Sequence, residues 1–245
     1  MIPSKLSKDP IVEALFEIRF QSTVKAISNL LPAFLYTKLK NNFDAPERLP
    51  IAEFPEEFIA LDPNLKYQPR LRMRGAKFSM LIGDSSIVLS CPRPYVGWNE
   101  YKIMLTDLLL IIKETKLISV VDRFSFKYVN VLEADKVDEQ FSLIKFVSKI
   151  GPYDLTKHLS STKSEIREEG LINIIEVQSN AVITLPNSKE TMKGLLLNVD
   201  TINDNPGEFW AHSDQLIETA HTMEKKMFFC FLPDEVIKKF GAVYA

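Results

Sequence analysis

The chain has 245 residues, and its formal net charge of −2 gives it no general attraction to nucleic acids or anionic membranes. Hydrophobic residues make up 46% and charged residues 25% of the chain, which is typical of a globular protein with a sizeable core. Two cysteines are too few for a disulfide framework. Because the N-terminal stretch lacks the features of a signal peptide and no apolar run is long enough to span a bilayer, we expect a cytoplasmic protein without membrane contact.

The first 40 residues predict a strand followed by a helix. From Val12 to Phe20, apolar and polar residues alternate, which is typical of a strand with one buried face. From Val24 to Leu35, apolar residues recur at helical spacing. Pro32 lies inside this run and should kink the helix or split it.

Residues 41–69 contain five prolines and show no clear periodicity. A long irregular connection inside a compact protein is unusual, so we expect either a functional arm or a poorly ordered segment. The aromatic residues of this arm predict that parts of it pack against the protein. They are Phe43, Phe54, Phe58 and Tyr67.

Three short strands and a long helix are predicted after the arm. The strands cover Arg70–Arg74, Ala76–Ile82 and Ser86–Ser90. The helix begins near Trp98, and the apolar residues Met104, Leu110 and Ile111 widen its inner stripe, so we expect it to be buried on more than one side. The predicted stripe itself comprises Trp98, Tyr101, Leu105, Leu108, Leu109 and Ile112.

The second half of the chain predicts a similar succession of elements. A strand covers Arg123–Glu133, a shorter helix covers Phe141–Ile150, and the polar stretch Thr156–Glu169 reads as a loop or flap. A second long helix follows Pro206, with Met223 and Met227 on its inner stripe. The strands between are Leu171–Gln178, Ala181–Leu185 and Gly194–Ile202.

This shared order suggests an internal duplication. Pro94 and Trp98 recur 112 residues later as Pro206 and Trp210, each pair at the start of a predicted helix. The predicted fold class is α+β: an internally duplicated β-α-β-β-β-α unit with two antiparallel sheets, or one continuous curved sheet, and helices on one face. The predicted repeats are residues 1–122 and 123–245, packed as one compact unit.

Four segments together resemble an uncharacterised, sporadically distributed family of prokaryotic proteins of about this length. The segments are PIVEALFEIRF, PYVGWNEY, RFSFKYVNVLE and LLLNVDTIND, spread from residue 10 to about residue 204. The resemblance brings no accepted activity, cofactor or catalytic residue. Because members of the family occur as scattered single genes, the resemblance implies an accessory role in a prokaryotic conflict or defence system.

Basic residues on the predicted strands suggest a surface that binds a small anion. Alternating arginines on one strand would project from a single face, and other basic residues lie on the polar faces of the first strand of each half. Guanidinium groups match carboxylate and phosphate geometry. The alternative is a solvated sheet face balanced by acidic neighbours such as Glu13 and Glu17. The candidate ligand-binding residues are Arg70, Arg72, Arg74, Arg123 and Lys127.

No pattern in the chain predicts a catalytic residue, a metal or a cofactor. Glu218 and His221 form only half of a di-iron motif. The oxygen-rich stretch from Asn198 to Asn205 fails the spacing of a calcium loop, and such residues before a helix more often turn the chain. Phosphate-binding, zinc-binding and nucleophile motifs are absent from the sequence.

Three functions therefore stay open, and we favour the first. It is a non-enzymatic interaction protein that binds a protein partner, or a second copy of itself, through the sheet face or the arm. The alternative is a small anionic-ligand sensor or enzyme with a pocket between the two repeats. Nucleic-acid binding by the basic strands is the weakest, because the two halves differ little in charge.

Overall fold

The computed structural model describes residues 2–54, 59, 62, 65–185 and 190–244. The chain is an α+β protein whose largest element is one antiparallel sheet of nine strands. The predicted class is confirmed, and a single sheet was one of the two predicted arrangements. The internal duplication, the curvature of the sheet and the gathering of helices on one face stay predictions.

The first part of the chain alternates strands and helices in nearly the predicted order. Its elements are β1 (Lys5–Leu6), β2 (Ile11–Ser22), a 3₁₀ turn (Ile27–Asn29), α1 (Leu31–Leu39), β3 (Glu47–Arg48), a 3₁₀ turn (Pro50–Glu53), β4 (Leu71–Arg74), β5 (Ser79–Ile82), β6 (Ser86–Pro92) and α2 (Trp98–Thr115).

The second part starts with the longest strand of the described residues, and their longest helix, α4, lies near its end. Its elements are β7 (Ile118–Glu133), α3 (Val137–Ser142), β8 (Lys149–Ile150), β9 (Tyr153–Asp154), a 3₁₀ turn (Leu155–Lys157), β10 (Ser161–Glu168), β11 (Leu171–Thr184), β12 (Thr191–Asn203), α4 (Phe209–Phe231), α5 (Asp234–Lys239) and β13 (Ala242–Val243).

The strand order of the sheet is β10, β11, β12, β7, β2, β6, β5, β4, β3. β2 and β7 are central neighbours, and beside each lies the last strand of a three-stranded meander. This order is compatible with the predicted duplication. β1 with β13, and β8 with β9, form two further two-stranded ladders.

The alternation of apolar and polar residues explains the buried face of β2, and Pro32 explains where α1 begins. The even-numbered residues of β2 from Val12 to Phe20 are buried, as predicted. The predicted helix from Val24 is split: a 3₁₀ turn ends at Asn29, and α1 starts at Leu31 with Pro32 in its first turn. Proline is tolerated there because the first backbone N–H groups of a helix have no intrahelical partner.

The inner stripe of α2 is confirmed, but its predicted second buried side is wrong. Tyr101, Leu105 and Ile112 are buried, whereas Leu110 is more than half exposed and Ile111 is half-buried. The helix therefore packs on one side only. No helix in the described part of the chain combines the length and the apolar character needed to cross a bilayer.

Two predictions in the second half are wrong. The helix expected over Phe141–Ile150 ends at Ser142, because residues 149–150 pair with 153–154 around a turn in which Gly151 has a φ of 56°. The expected loop Thr156–Glu169 contains β10, which pairs with β11 along its whole length. β10 lies at the edge of the sheet and is largely exposed, so it needs no apolar face.

The strands predicted at Leu171–Gln178 and Ala181–Leu185 are one strand, β11. Its pairing with β12 shifts register between Gln178 and Ala181, and Asn180 has a φ of 56° at that point. Such an irregularity interrupts the period-two pattern without ending the strand.

The arm of residues 41–69 is partly packed against the protein. Phe43 is buried, and the Asp44 N–H donates to the Arg74 carbonyl, whereas Phe54 is exposed. Phe58 lies outside the described residues. The prediction that parts of the arm pack down is therefore confirmed at Phe43, and the part at Phe54 does not pack down.

The chain divides into two compact units. The first comprises Met1–Ala14, Phe126–Ile202 and Glu218–Ala245, and the second comprises Leu15–Ser125 and Asn203–Ile217. In the first unit, a core of β11, β12 and α4 side chains includes Leu197, Val199 and Met223. The predicted boundary between residues 122 and 123 stays a prediction about homologous repeats.

Candidate functional site

Three of the four arginines predicted to carry an anion site, those of β4 and the residue before it, are already paired with carboxylates. Arg70 Nε lies 2.6 Å from Asp84 Oδ2, and the Arg70 side chain is only 16% exposed. The other oxygen of Asp84 accepts a hydrogen bond from the Ser28 N–H. Asp84 therefore neutralises Arg70 and ties it to the turn that precedes α1.

Arg72 and Arg74 share one carboxylate, that of Glu47 on β3. Glu47 Oε1 lies 3.7 Å from Arg72 Nη1 and 2.9 Å from Arg74 Nε. The pairing of β3 with β4 places Glu47 opposite Arg72, which explains why one acid serves both. An incoming anion would have to compete with Glu47 for these two side chains.

Arg123 differs from these three residues. It is half-buried on β7, and its Nε is buried without a hydrogen-bond partner among the described residues. Lys127, four residues later on β7, is also half-buried but belongs to the first unit, whereas the four arginines belong to the second. Among the predicted arginines, Arg123 thus differs in having a buried Nε–H group that has no hydrogen-bond acceptor among the described residues.

Two further cations on the predicted basic surface contact Tyr67. Arg19 Nε donates to Glu17 Oε2 at 3.0 Å, and its guanidinium lies 4.3 Å from the centre of the Tyr67 ring. Lys66 Nζ lies 5.0 Å from the same ring. Both contacts are cation–π geometries, and the Arg19 contact joins the end of the arm to β2.

The oxygen-rich stretch before α4 forms hydrogen bonds within the chain. Asn198 Nδ2 donates to Glu176 Oε2 at 3.1 Å, and Asn203 Oδ1 accepts the Asn205 N–H at 3.1 Å. The second bond closes a turn, as asparagine commonly does before a helix. Within the described residues, no group of three or more His, Cys, Asp or Glu side chains could hold a metal ion.

The surface that sequence reasoning missed is apolar and lies on α1 and α2. A groove of about 560 Å³ separates the two helices, with Phe34 and Ile111 among its walls. We call the groove, together with the exposed apolar side chains of α1, of Leu30 just before it and of α2, the α1–α2 face. Those side chains are Leu30, Phe34, Ile103 and Leu110, exposed by 47%, 51%, 65% and 55%.

A simple signal could have revealed this face. Ile103 and Leu110 are seven residues apart, which is about two helical turns, so they lie on one side of α2. Tyr101, Leu105 and Leu108 mark the buried side. Placed on a helical wheel, Ile103 and Leu110 fall opposite this stripe.

A second group of exposed apolar residues lies around the β8–β9 hairpin in the first unit. Ile150 and Tyr153 are directly paired across the hairpin, and the Tyr153 ring contacts His158 at 6.2 Å between ring centres. The hairpin has only two residues in each strand, whereas the α1–α2 face is built on two packed helices. The exposed residues are Val147, Ile150, Tyr153 and Leu159, with 63–90% exposure.

Comparison with known proteins adds no family to this description. No protein-family model matches the chain, and no curated protein sequence matches it at a significant level.

Proposed function

We propose that this protein is a non-enzymatic binding protein and that a protein partner docks on the α1–α2 face. The observation that carries the proposal is an apolar groove of about 560 Å³ between α1 and α2, lined by Phe34 and Ile111, together with the exposed apolar side chains of Leu30, Ile103 and Leu110 at the same two helices. Apolar surface of this kind supports binding, because hydrophobic side chains supply affinity and no proton-transfer or nucleophilic group.

In an isolated chain, the exposed side chains leave apolar surface in water, and its burial by a partner would be favourable. Burying a large apolar side chain is worth about 1.5–3 kcal/mol, and monomeric proteins seldom expose contiguous apolar patches of more than a few hundred Å². A partner that covers Phe34 and Leu110 would recover this free energy.

Buried side chains on the inner sides of α1 and α2 fix the position of the face. Leu31 and Leu35 on α1, and Leu105, Leu108 and Ile112 on α2, are fully or almost fully buried. Since neither helix has to become ordered on binding, docking does not add a cost of folding this face to the general entropic cost of association.

Polar groups border the groove at one end, as in known interfaces. Lys38 Nζ and Glu114 Oε2 lie 4.0 Å apart across it, and both side chains are exposed. An apolar centre with a polar rim is the usual organisation of a protein interface. Exposed charges of this kind contribute to orientation more than to affinity.

The resemblance to a sporadically distributed prokaryotic family supports the cellular setting of the proposal. Proteins encoded by scattered single genes often serve as accessory components. We therefore place the binding protein in a conflict or defence-type system, as an accessory component.

Site-specific photocrosslinking in the native cell tests the docking surface. A benzophenone amino acid at Phe34 should give an adduct of one defined mass, and Leu110→Glu in the same chain should abolish it. Val182, which is 62% exposed on β11, provides the matched control position and should give no such adduct. Equal adducts from both positions, or none from Phe34, would contradict the proposal.

A second candidate, binding of a small anion, is favoured by the buried Arg123 Nε, which has no hydrogen-bond partner among the described residues. A buried donor without an acceptor costs about 1–3 kcal/mol, and an oxyanion would satisfy it. Phosphate or citrate at 100 times its dissociation constant should stabilise the chain by about 2.7 kcal/mol.

Arg123→Gln should remove this stabilisation, whereas Arg74→Gln, at an exposed and paired arginine, should retain it. The same stabilisation by sodium chloride at equal ionic strength would count against the anion site.

A further inference from the structure

We infer that the partner on the α1–α2 face is a second copy of this chain, with the two α2 helices packed antiparallel across a twofold axis. This inference rests on the proposed function and names its partner. In the dimer, Ile103 of each chain packs against Leu110 of the partner subunit. Both residues are more than half exposed in the single chain.

The spacing on α2 makes the surface self-complementary. Ile103 and Leu110 lie about 10 Å apart along one side of the helix. A twofold axis halfway between them places each of these residues against the other in the second chain. Such an arrangement is isologous and closed, so it forms a dimer and does not propagate into a filament.

The charges of Glu100 and Lys113 favour the antiparallel arrangement, whereas Asp107, exposed between Ile103 and Leu110, lies close to its own copy in either arrangement and does not distinguish them. If Ile103 meets Leu110 of the partner subunit, then Glu100 meets Lys113 of the partner subunit, since both positions lie three residues further out. Glu100 and Lys113 have opposite charges and are solvent-accessible. Parallel helices would instead bring Glu100 against Glu100 and Lys113 against Lys113, which like-charge repulsion disfavours.

Both charged groups are already held near the ends of α2. Glu100 Oε1 accepts a hydrogen bond from Lys77 Nζ at 2.6 Å, and Lys113 Nζ donates to the Trp210 carbonyl at 2.7 Å. Each keeps solvent-exposed surface on which a second contact can form. The charges therefore fix the register, while the apolar residues supply the affinity.

The size of the face suits a dimer. A standard interface covers about 800 Å² on each partner, of which a little over half is apolar. Four large side chains that are half exposed supply on the order of 400 Å² of apolar surface. Leu30 and Phe34 on α1 extend the contact beyond the α2 pair.

Sedimentation of the full chain tests the stoichiometry. At about 100 μM the wild type should sediment as a dimer, and Leu110→Glu should raise the dissociation constant at least about 100-fold. Glu100→Lys alone and Lys113→Glu alone should each weaken the dimer about tenfold, and the double variant should restore it. Circular dichroism establishes that each variant is folded.

Disulfide trapping tests the register independently. Cys230 is exposed, so the variants are made in a Cys230→Ser background. A mixture of Ile103→Cys and Leu110→Cys chains should form a mixed disulfide dimer on mild oxidation. Neither variant alone should do so, because identical positions lie on opposite sides of the twofold axis.

The outcomes distinguish failure of the dimer from failure of the proposed docking function. A wild type that stays monomeric overturns the dimer. If the monomer still gives a Phe34 adduct with another protein, the proposed function survives without the dimer. If Ile103→Cys alone is trapped as readily as the mixture, the antiparallel register is wrong. Dimerisation with charge-reversal rescue and mixed trapping supports the inference.

Discussion

The two long helices depart from the amphipathic pattern in opposite directions. α2 exposes apolar side chains, Ile103 and Leu110, on its outer side. α4 buries a carboxyl group: Glu224 is only 4% exposed and follows Met223, a core residue. An exposed apolar residue costs free energy until a partner covers it, whereas a buried acid costs free energy in the folded chain itself. The exception on α2 therefore indicates binding, and the one on α4 predicts a dependence of stability on pH.

Burial sets the behaviour of Glu224. It raises the pKa of this carboxyl group well above its usual range, and the neighbouring Lys225 ammonium only partly opposes the effect. Burial also lowers the pKa of Lys225, whose Nζ donates to the Ser4 carbonyl at 3.0 Å. Glu224 is therefore neutral in the folded chain at pH values where an exposed glutamate is charged.

The largest expected effect is on the inner side of α2, at Tyr101. This residue is fully buried, its hydroxyl donates to the Leu89 carbonyl at 2.8 Å, and its ring contacts Phe78. Tyr101→Ala should lower the free energy of unfolding by about 3–5 kcal/mol, because it leaves a large cavity. Tyr101→Phe should cost about 1–2 kcal/mol, because it removes only the hydrogen bond. Urea unfolding measures both, and equal losses would show that packing of the ring contributes little.

The next effect is the pH dependence from Glu224. The folded chain holds this proton to a higher pH than the unfolded chain does, so it binds more protons between the usual and the raised pKa. The free energy of unfolding must then fall as pH rises through that window, by at most about 1.4 kcal/mol per pH unit. Glu224→Gln should remove the fall and make the chain more stable above the window by about 1 kcal/mol or more.

Glu133 provides the control for that measurement, because it is an exposed glutamate at the end of β7. Glu133→Gln should leave the pH profile of unfolding unchanged. If Glu224→Gln and wild type show parallel profiles from pH 4 to about 8, burial of this carboxyl group does not control the pH dependence.

A smaller effect is expected on the outer side of α4, at Lys226. Its Nζ donates to Glu168 Oε1 at 2.6 Å and to Glu169 Oε1 at 3.0 Å, and these bonds raise the pKa of Lys226. All three side chains are well exposed, so Lys226→Met should lower the melting temperature only slightly, and less in concentrated salt. A large loss that persists in salt would mean that this contact holds the end of β10 in place.

Elements with a clear period could be predicted from the sequence. The buried face of β2 from Val12 to Phe20 and the inner stripe of α2 followed from spacing alone. β10 was missed because an edge strand exposed on both faces has no apolar period. The outer side of α2 was misread because Leu108–Ile112 is apolar without a break, which hides the difference between Leu109, which is buried, and Leu110, which is exposed.

The candidate site was harder to predict, because pairing partners lie far away in the sequence. The alternation of Arg70, Arg72 and Arg74 is visible, but Glu47 comes 27 residues before Arg74 and meets it only through the pairing of β3 with β4. Asp84 likewise reaches Arg70 through the fold. The alternation of arginines along one strand therefore overstated the free positive charge on this surface.

The smallest expected change in stability is at Leu110. A small change would show that this side chain is not needed for the fold. Leu110→Glu should change the free energy of unfolding by no more than about 0.5 kcal/mol, because an exposed side chain contributes little to the fold. Leu108→Glu, two residues earlier and almost fully buried, should unfold the chain, since it places a charge in the core. Urea unfolding at low protein concentration isolates the single chain, where mass action removes any second copy. If Leu110→Glu were as damaging as Leu108→Glu, the outer side of α2 would belong to the fold, and the α1–α2 face would have no apolar surface to offer a partner.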